Sequence, residues 1–288
     1  MVYIQLTLTA IIWGGTFIAG RVVVDEMGAF SAAFLRFAVA SLCLLLMAHQ
    51  FQDGLVKLKL RQLLYLILLG LSGVFAYNIF FFLGLQTITA GRASLIVALN
   101  PIAIALFSAL ILRERLTLLK FVGIATSLLG AAIVIGQGNP LGLLSGGLQQ
   151  GDLFVLGCVA SWVVYTLVGK QVMASLSPFV ATTYACLIGA AALLPLALYN
   201  GLIQDLRQLS PVAGFGILYL GLLGSAVGFS WYYTGVKAIG AAKAAIFINL
   251  VPLSAILLAA VLLKEPITSA LAIGGGLVIV GVFCTNRG

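Results

Sequence analysis

Charge is the scarcest property of this sequence. Its 288 residues include 7 Asp and Glu and one His, and charged residues make up 8% of the chain. An average soluble domain carries about 25% charged residues. A water-soluble fold of this size cannot cover its surface with so few. The single histidine, His49, excludes a multi-histidine metal site. The four cysteines, Cys43, Cys158, Cys186 and Cys284, lie in apolar runs with neither metal-ligand nor disulfide-framework spacing. They read as small buried hydrophobes. There is no Walker-type glycine loop, so ATP is not the expected driver. No nucleophile–base constellation is available either, so the chain reads as a non-enzyme that needs no cofactor and no metal. No acid falls in the middle of an apolar run, which disfavours a proton relay built on a buried carboxylate.

What is present is apolar: 62% of the residues are hydrophobic. A helix needs about 20 apolar residues to cross a bilayer. Polar punctuation places ten such spans, at about 3–23, 29–48, 63–84, 91–112, 118–137, 151–170, 178–199, 211–234, 241–263 and 268–285. The first lacks a basic leader and is expected to be retained. With the N-terminus inside, the inner loops and tail hold Lys57, Lys59, Arg61, Arg113, Arg115, Lys120, Lys170, Lys237, Lys243 and Arg287. The outer loops hold only Arg21, Arg92, Arg207 and Lys264, against five acids. This bias predicts both termini on the cytoplasmic side. The net charge of +8 is then a topology signal, and nucleic acid is not an expected partner.

The two halves of the chain repeat one another. At an offset of 149, Trp13 meets Trp162, Gly20 meets Gly169, Arg21 meets Lys170 and Phe30 meets Phe179. At an offset of 151, Gly70 meets Gly221, Gly84 meets Gly235, Arg92 meets Lys243, Pro101 meets Pro252, Glu114 meets Glu265 and Thr117 meets Thr268. The expected units are residues 1–137 and 151–288, joined by a linker at 138–150. Five spans is an odd number, so the second unit must enter the membrane from the opposite side. The expected fold is an all-α membrane protein of ten transmembrane helices in two inverted five-helix repeats. Inverted repeats recur in secondary transporters, with the substrate near the midplane where they meet.

The segment AIIWGGTFIAGR and the paired segments AGRASLIVALNPIAIALFSALILRERLT and GAAKAAIFINLVPLSAILLAAVLLKEPIT resemble the EamA-type members of the drug/metabolite transporter superfamily. The pattern of a Pro followed 13 residues later by Glu in the fourth helix of each repeat carries that resemblance. It implies a carrier of the cytoplasmic membrane, often an exporter of amino acids or related metabolites.

Several residues are candidates for the work. Thr9, Trp13, Thr16 and Gly20 share one face of span 1, and Cys158, Trp162, Tyr165 and Gly169 form the matching stripe on span 6. They suggest the walls of a central cavity, or ordinary packing. Glycine stripes in spans 3 and 8 read as helix–helix contacts, as surfaces that slide, or as both. Beside them Tyr77, Asn78, Ser230 and Tyr233 are placed to reach the cavity. Pro101 and Pro252 are expected to kink spans 4 and 9. Of the nearby amides Asn100 and Asn249, at most one faces the substrate, and Asn249 is favoured. Arg92 and Lys243 either snorkel to the interface or serve as a gate or anion contact. Arg36, the one charge clearly inside a span, either snorkels to Asp25 or Glu26 or lines an outer vestibule. Glu114 and Glu265 are expected to bond free amides at the start of the following helix and fix a tight corner.

These residues predict a secondary transporter that moves a small metabolite by alternating access, in the direction of export. Trp13, Thr16, Tyr77, Asn78, Trp162, Tyr165, Ser230, Tyr233 and Asn249 are the expected substrate contacts. A multidrug exporter is the alternative, and a passive channel or a non-transporting receptor a more distant one. The expected partners are the small-molecule substrate and the lipid bilayer. A monomer suffices to enclose a path, and a homodimer is also compatible.

Overall fold

The computed structural model describes residues 1–50, 58–100, 102–104, 107, 117–139, 148–240, 244 and 247–287. Among them there is no strand. In chain order the helices are α1 (Val2–Val24), α2 (Ala29–Gln50), α3 (Leu60–Leu85), α4 (Ala90–Val97), α5 (Leu118–Ile135), α6 (Gln150–Val172) and α7 (Pro178–Tyr199). They continue as α8 (Pro211–Ile239), α9 (Leu250–Leu262) and α10 (Ser269–Arg287). A short helix, Leu202–Gln208, links α7 to α8. Six of these, α1 to α3 and α6 to α8, are long and apolar enough to cross a membrane.

Local chemistry sets the starts. Ser177 and Ser210 accept from the amides of Val180 and Ala213, with Pro178 and Pro211 at the first helical positions. Proline is tolerated there because its missing N–H would have had no helical partner. Thr89 and Thr268 likewise cap α4 and α10 through the amides of Arg92 and Leu271. The outward faces stay apolar: Leu42 and Leu46 of α2, Leu64 and Leu68 of α3, and Leu194 and Leu198 of α7 are all exposed. Pairs four residues apart repeat this on several helices, which is a surface for lipid rather than for water. The chain is a multi-pass membrane protein.

Two departures from regular helix shape the interior. α3 and α8 each contain a π-helical stretch, Gly70–Ala76 and Tyr219–Val227, at matching places in the two halves. Regular helix in α4 ends at Val97, and α9 begins only at Leu250 after a 3-10 turn at Phe247–Asn249. Both breaks precede the repeated prolines. Pro252 therefore does not kink the middle of a helix; it sits in the first turn of α9, where an absent N–H costs least. Pro101 lies outside the described residues.

Packing in one half has its counterpart in the other. α1 packs on α8 and α9, while α6 packs on α3 and α4. α2 meets α7, and α5 meets α10. A Cβ on Gly70 would meet Ile188 at 2.9 Å, and one on Gly221 would meet Val39 at 2.6 Å. Gly84 faces Val155, and Gly235 faces Leu6. The partners match at the offset of 149, as the glycines match at 151. Small residues here let backbones approach closely, which is how helices gain contact energy in lipid.

One end of the bundle is laced by polar bonds. Ser210 Oγ donates to Glu26 (2.8 Å), and the Gly28 amide donates to Asp205 (3.2 Å). Arg21 donates to the Leu85 carbonyl. Two expectations need correcting here. Glu265 does not cap the helix that follows it; its carboxylate accepts from the amides of Ala90 and Gly91 (3.0 and 3.2 Å), at the start of α4. Carboxylates suit a helix N-terminus, and α4 supplies the nearer one. Arg92 does not snorkel. It is buried, donating to both carboxylate oxygens of Asp152 (2.7 and 2.6 Å) and to the Ile135 carbonyl (2.7 Å). Glu114 and Lys243 lie outside the described residues.

Candidate functional site: a cavity between the two halves

Residues just beyond the π-helical stretches, Tyr77 and Phe229, meet those at the broken helices around a cavity of about 430 Å³, mouth included. Six of its twelve wall residues form three repeat-matched pairs. Trp13 faces Trp162, with ring centroids 5.4 Å apart and planes at 88°. Val97 and Asn100, at the break of α4, stand opposite Ile248 and Val251, at the break of α9. Phe229 closes the aromatic cluster at 5.9 Å from Trp13 and 5.7 Å from Trp162. Thr16, Phe17, Tyr77, Phe81 and Arg36 complete the lining.

The polar groups are held differently in the two halves. Trp13 Nε1 donates to the Gly224 carbonyl at 2.9 Å. That carbonyl belongs to the π-helical stretch of α8, where the wider turn alters the regular bonding. Trp162 Nε1 is buried and makes no hydrogen bond of good geometry; the neighbouring polar group is the Tyr232 hydroxyl. Thr16 Oγ1 donates back to the Trp13 carbonyl at 2.6 Å. Asn100 is buried at the wall, and its Oδ1 accepts no hydrogen bond.

Arg36 does not reach out to Asp25 or Glu26. Asp25 lies beside Arg21 (3.8 Å) and Glu26 beside Ser210. Arg36 turns inward and is 3% exposed. Its Nε donates to Ser225 Oγ (2.8 Å) and its Nη1 to Asn78 Oδ1 (3.0 Å). The Asn78 amide in turn donates to the Val74 carbonyl at 2.8 Å, and Ser225 donates to the Leu220 carbonyl at 2.9 Å. Both latter bonds lie at or beside π-helical stretches, so the irregular backbone fixes the groups that hold the arginine.

Of the residues singled out from sequence, Trp13, Thr16, Tyr77, Trp162 and Arg36 line the cavity. Asn78 meets it through Arg36. Tyr165 and Tyr233 do not line it; their rings stack 5.1 Å apart behind Trp162. Ser230 is also off the lining, and its hydroxyl has no partner. Arg92 is taken up by Asp152. The Asn249 backbone ends the 3-10 turn before α9, and its side chain lies outside what is described. Asn100, the amide that sequence reasoning placed second, is at the wall. Ser225, Phe229 and the two helix breaks went unnoticed. The position of Asn100 directly before a repeated proline was the available signal. Among the described residues no three His, Cys, Asp or Glu side chains gather as a metal site.

The geometry is that of a mostly aromatic cavity with a few polar groups in its wall. Comparisons with known proteins place the chain. The EamA-like transporter family profile matches residues 1–136 and again 149–287. A Bacillus subtilis (strain 168) protein described as the uncharacterized transporter YyaM is 31% identical over 287 residues, covering 99% of this chain and 93% of its own. A probable terminal-alkyne amino-acid exporter of Streptantibioticus cattleyicolor is 32% identical over 283 residues, covering 98% of this chain and 92% of its own. A crystal structure of a protein 21% identical in sequence shares the fold at a TM-score of 0.68, over 97% of this chain and 96% of that one. The chain belongs to the EamA-like transporter family.

Proposed function

We propose that this protein is a secondary transporter that exports amino acids or related amphiphilic solutes across the cytoplasmic membrane by alternating access. The observation that carries this reading is the cavity's position. It lies where the two halves meet, and six of its twelve wall residues are repeat-matched: Trp13 with Trp162, Val97 with Ile248, Asn100 with Val251. Substrate sites built from discontinuous helices at a repeat interface are the arrangement that alternating access requires. The matched glycine contacts of α3 and α8 support ten spans in two inverted repeats, as does the twofold match of the family profile. Residues 1–137 and 151–288 are then the two units. The lysine and arginine bias puts both termini in the cytoplasm and the laced end outside. The amino-acid exporter among the relatives supports the substrate class.

Counterflow in proteoliposomes tests the reading. Each unlabelled amino acid is loaded inside and its labelled form followed outside. Transient accumulation of one class is expected, lost in Trp13→Ala and Trp162→Ala with both variants still folded. Normal transport by both variants would place the site elsewhere, and a channel-like leak without counterflow would end the carrier reading.

A further inference from the structure

The cavity holds a positive charge that the described protein does not balance. Arg36 is buried in its wall, and both of its hydrogen-bond acceptors, Ser225 Oγ and Asn78 Oδ1, are neutral. The faces of Phe37 and Phe81, at 5.3 and 5.8 Å, give partial compensation. Each described acid is engaged elsewhere: Asp25 near Arg21, Glu26 at Ser210, Asp152 at Arg92, Asp205 at Gly28 and Glu265 at the start of α4. A charge at membrane depth without a counter-charge is costly, and it marks a functional position. A guanidinium offers five N–H donors in a planar fork that matches a carboxylate. Nη2 donates to no described residue. One more polar atom in the same wall lacks a partner, the Asn100 Oδ1 acceptor.

We propose that Arg36 is the anchor for the carboxylate of the transported solute. The cavity then selects zwitterions and monocarboxylates with an apolar body, and it rejects amines that lack a carboxylate. This rests on the amino-acid carrier reading and adds its specificity rule. The carboxylate takes the free edge of the guanidinium and neutralises it. Asn100 Oδ1 accepts from an ammonium, and Trp13, Trp162 and Phe229 hold the body. Asn78 and Ser225 are positioning residues: they orient the fork and carry no charge of their own.

The test is proteoliposome counterflow with four probes that share a phenyl body: L-phenylalanine, 3-phenylpropanoate, 3-phenylpropanamide and 2-phenylethylamine. The wild type is expected to carry the two carboxylates at least about tenfold better than the amine, the scale of one charge-assisted hydrogen bond. Arg36→Gln removes that preference. Asn78→Asp, which sets a fixed carboxylate against the guanidinium, removes it too while the thermal melt shows a folded protein. Asn78→Asp therefore decides the matter if Arg36→Gln does not fold. Equal carriage of amine and carboxylate by the wild type, or a preference that survives in the folded variants, overturns the anchor and leaves the carrier standing. Carriage of none of the four by folded wild type overturns the amino-acid reading and the anchor together.

Discussion

The two halves of the cavity share their walls and differ in their polar groups. Trp13 and Trp162 are matched, yet the first indole N–H is bound to the Gly224 carbonyl and the second faces only the Tyr232 hydroxyl, without a bond of good geometry. Arg36 stands where the second half has Ala185, and Asn100 where it has Val251. The repeat thus supplies three matched pairs to the chamber, while eight of its twelve lining residues come from the first half and four from the second. The departures from the repeat give that chamber a charged end and an amide. On the carrier reading proposed above, symmetry serves the exchange between two states, and asymmetry serves recognition of a solute with unlike ends.

The same contrast governs the ends of the bundle, where the largest effect is expected. At the laced end Arg92 and Asp152 form a buried ion pair. Their repeat-mates are Lys243 and Tyr3, a position pair with no acid. Arg92→Ala should destabilise the protein by about 3–5 kcal/mol, since Asp152 is left as a buried charge. Arg92→Met with Asp152→Leu should recover most of that loss. Tyr3, at 60% exposure, should tolerate Ala within about 0.5 kcal/mol. Thermal melts of purified protein check all three. An equal cost for Tyr3→Ala would show that both ends are locked alike and would break the comparison.

A smaller and symmetric effect is expected where the halves agree. Gly73 packs against the Tyr165 ring, and its mate Gly224 packs against Thr16, which is itself the mate of Tyr165. Alanine at either site forces a methyl into a filled contact, at about 1–3 kcal/mol. The two melts should fall by similar amounts. The tryptophans should not behave alike. Trp13→Phe leaves the buried Gly224 carbonyl without its donor, at about 1–3 kcal/mol. Trp162→Phe strands no backbone carbonyl, so its cost should be smaller, about 1 kcal/mol for the packing lost with the larger ring. A further cost should appear in substrate affinity, read by counterflow half-saturation.

The fold was largely legible because hydropathy and punctuation report length directly. The spans expected at 29–48, 118–137 and 178–199 correspond to α2, α5 and α7 within two residues at each end. What hydropathy cannot carry is which backbone hydrogen bonds are made. The π-helical stretches sit in glycine-rich sequence that also reads as a plain packing stripe. A helix break and a kink both place a proline mid-span, so the sequence of α4 and α9 does not distinguish them. Site residues on a repeated stripe, Trp13 and Trp162, could be found by alignment of the halves. Arg36 could be noticed but not oriented. Its nearest acids in sequence lie at Asp25 and Glu26, and its true partners, Asn78 and Ser225, are brought in by α3 and α8 from far along the chain.

The finest test of the comparison is at Asn100. Replacing it by valine makes the break of α4 resemble that of α9, where Val251 occupies the matching place. The Oδ1 atom accepts no bond in the protein, so its loss strands no donor. Valine is close in size and better suited to an apolar wall, so the melt should hold or rise slightly. If the amide oxygen receives the ammonium of a zwitterion, affinity for L-phenylalanine should fall by about two- to tenfold, the scale of one hydrogen bond. Affinity for 3-phenylpropanoate, which has no ammonium, should stay level. A parallel loss for both probes would mean that Asn100 shapes the cavity without reading the amine. A loss confined to the zwitterion would show that each polar departure from the repeat recognises a different end of the same solute.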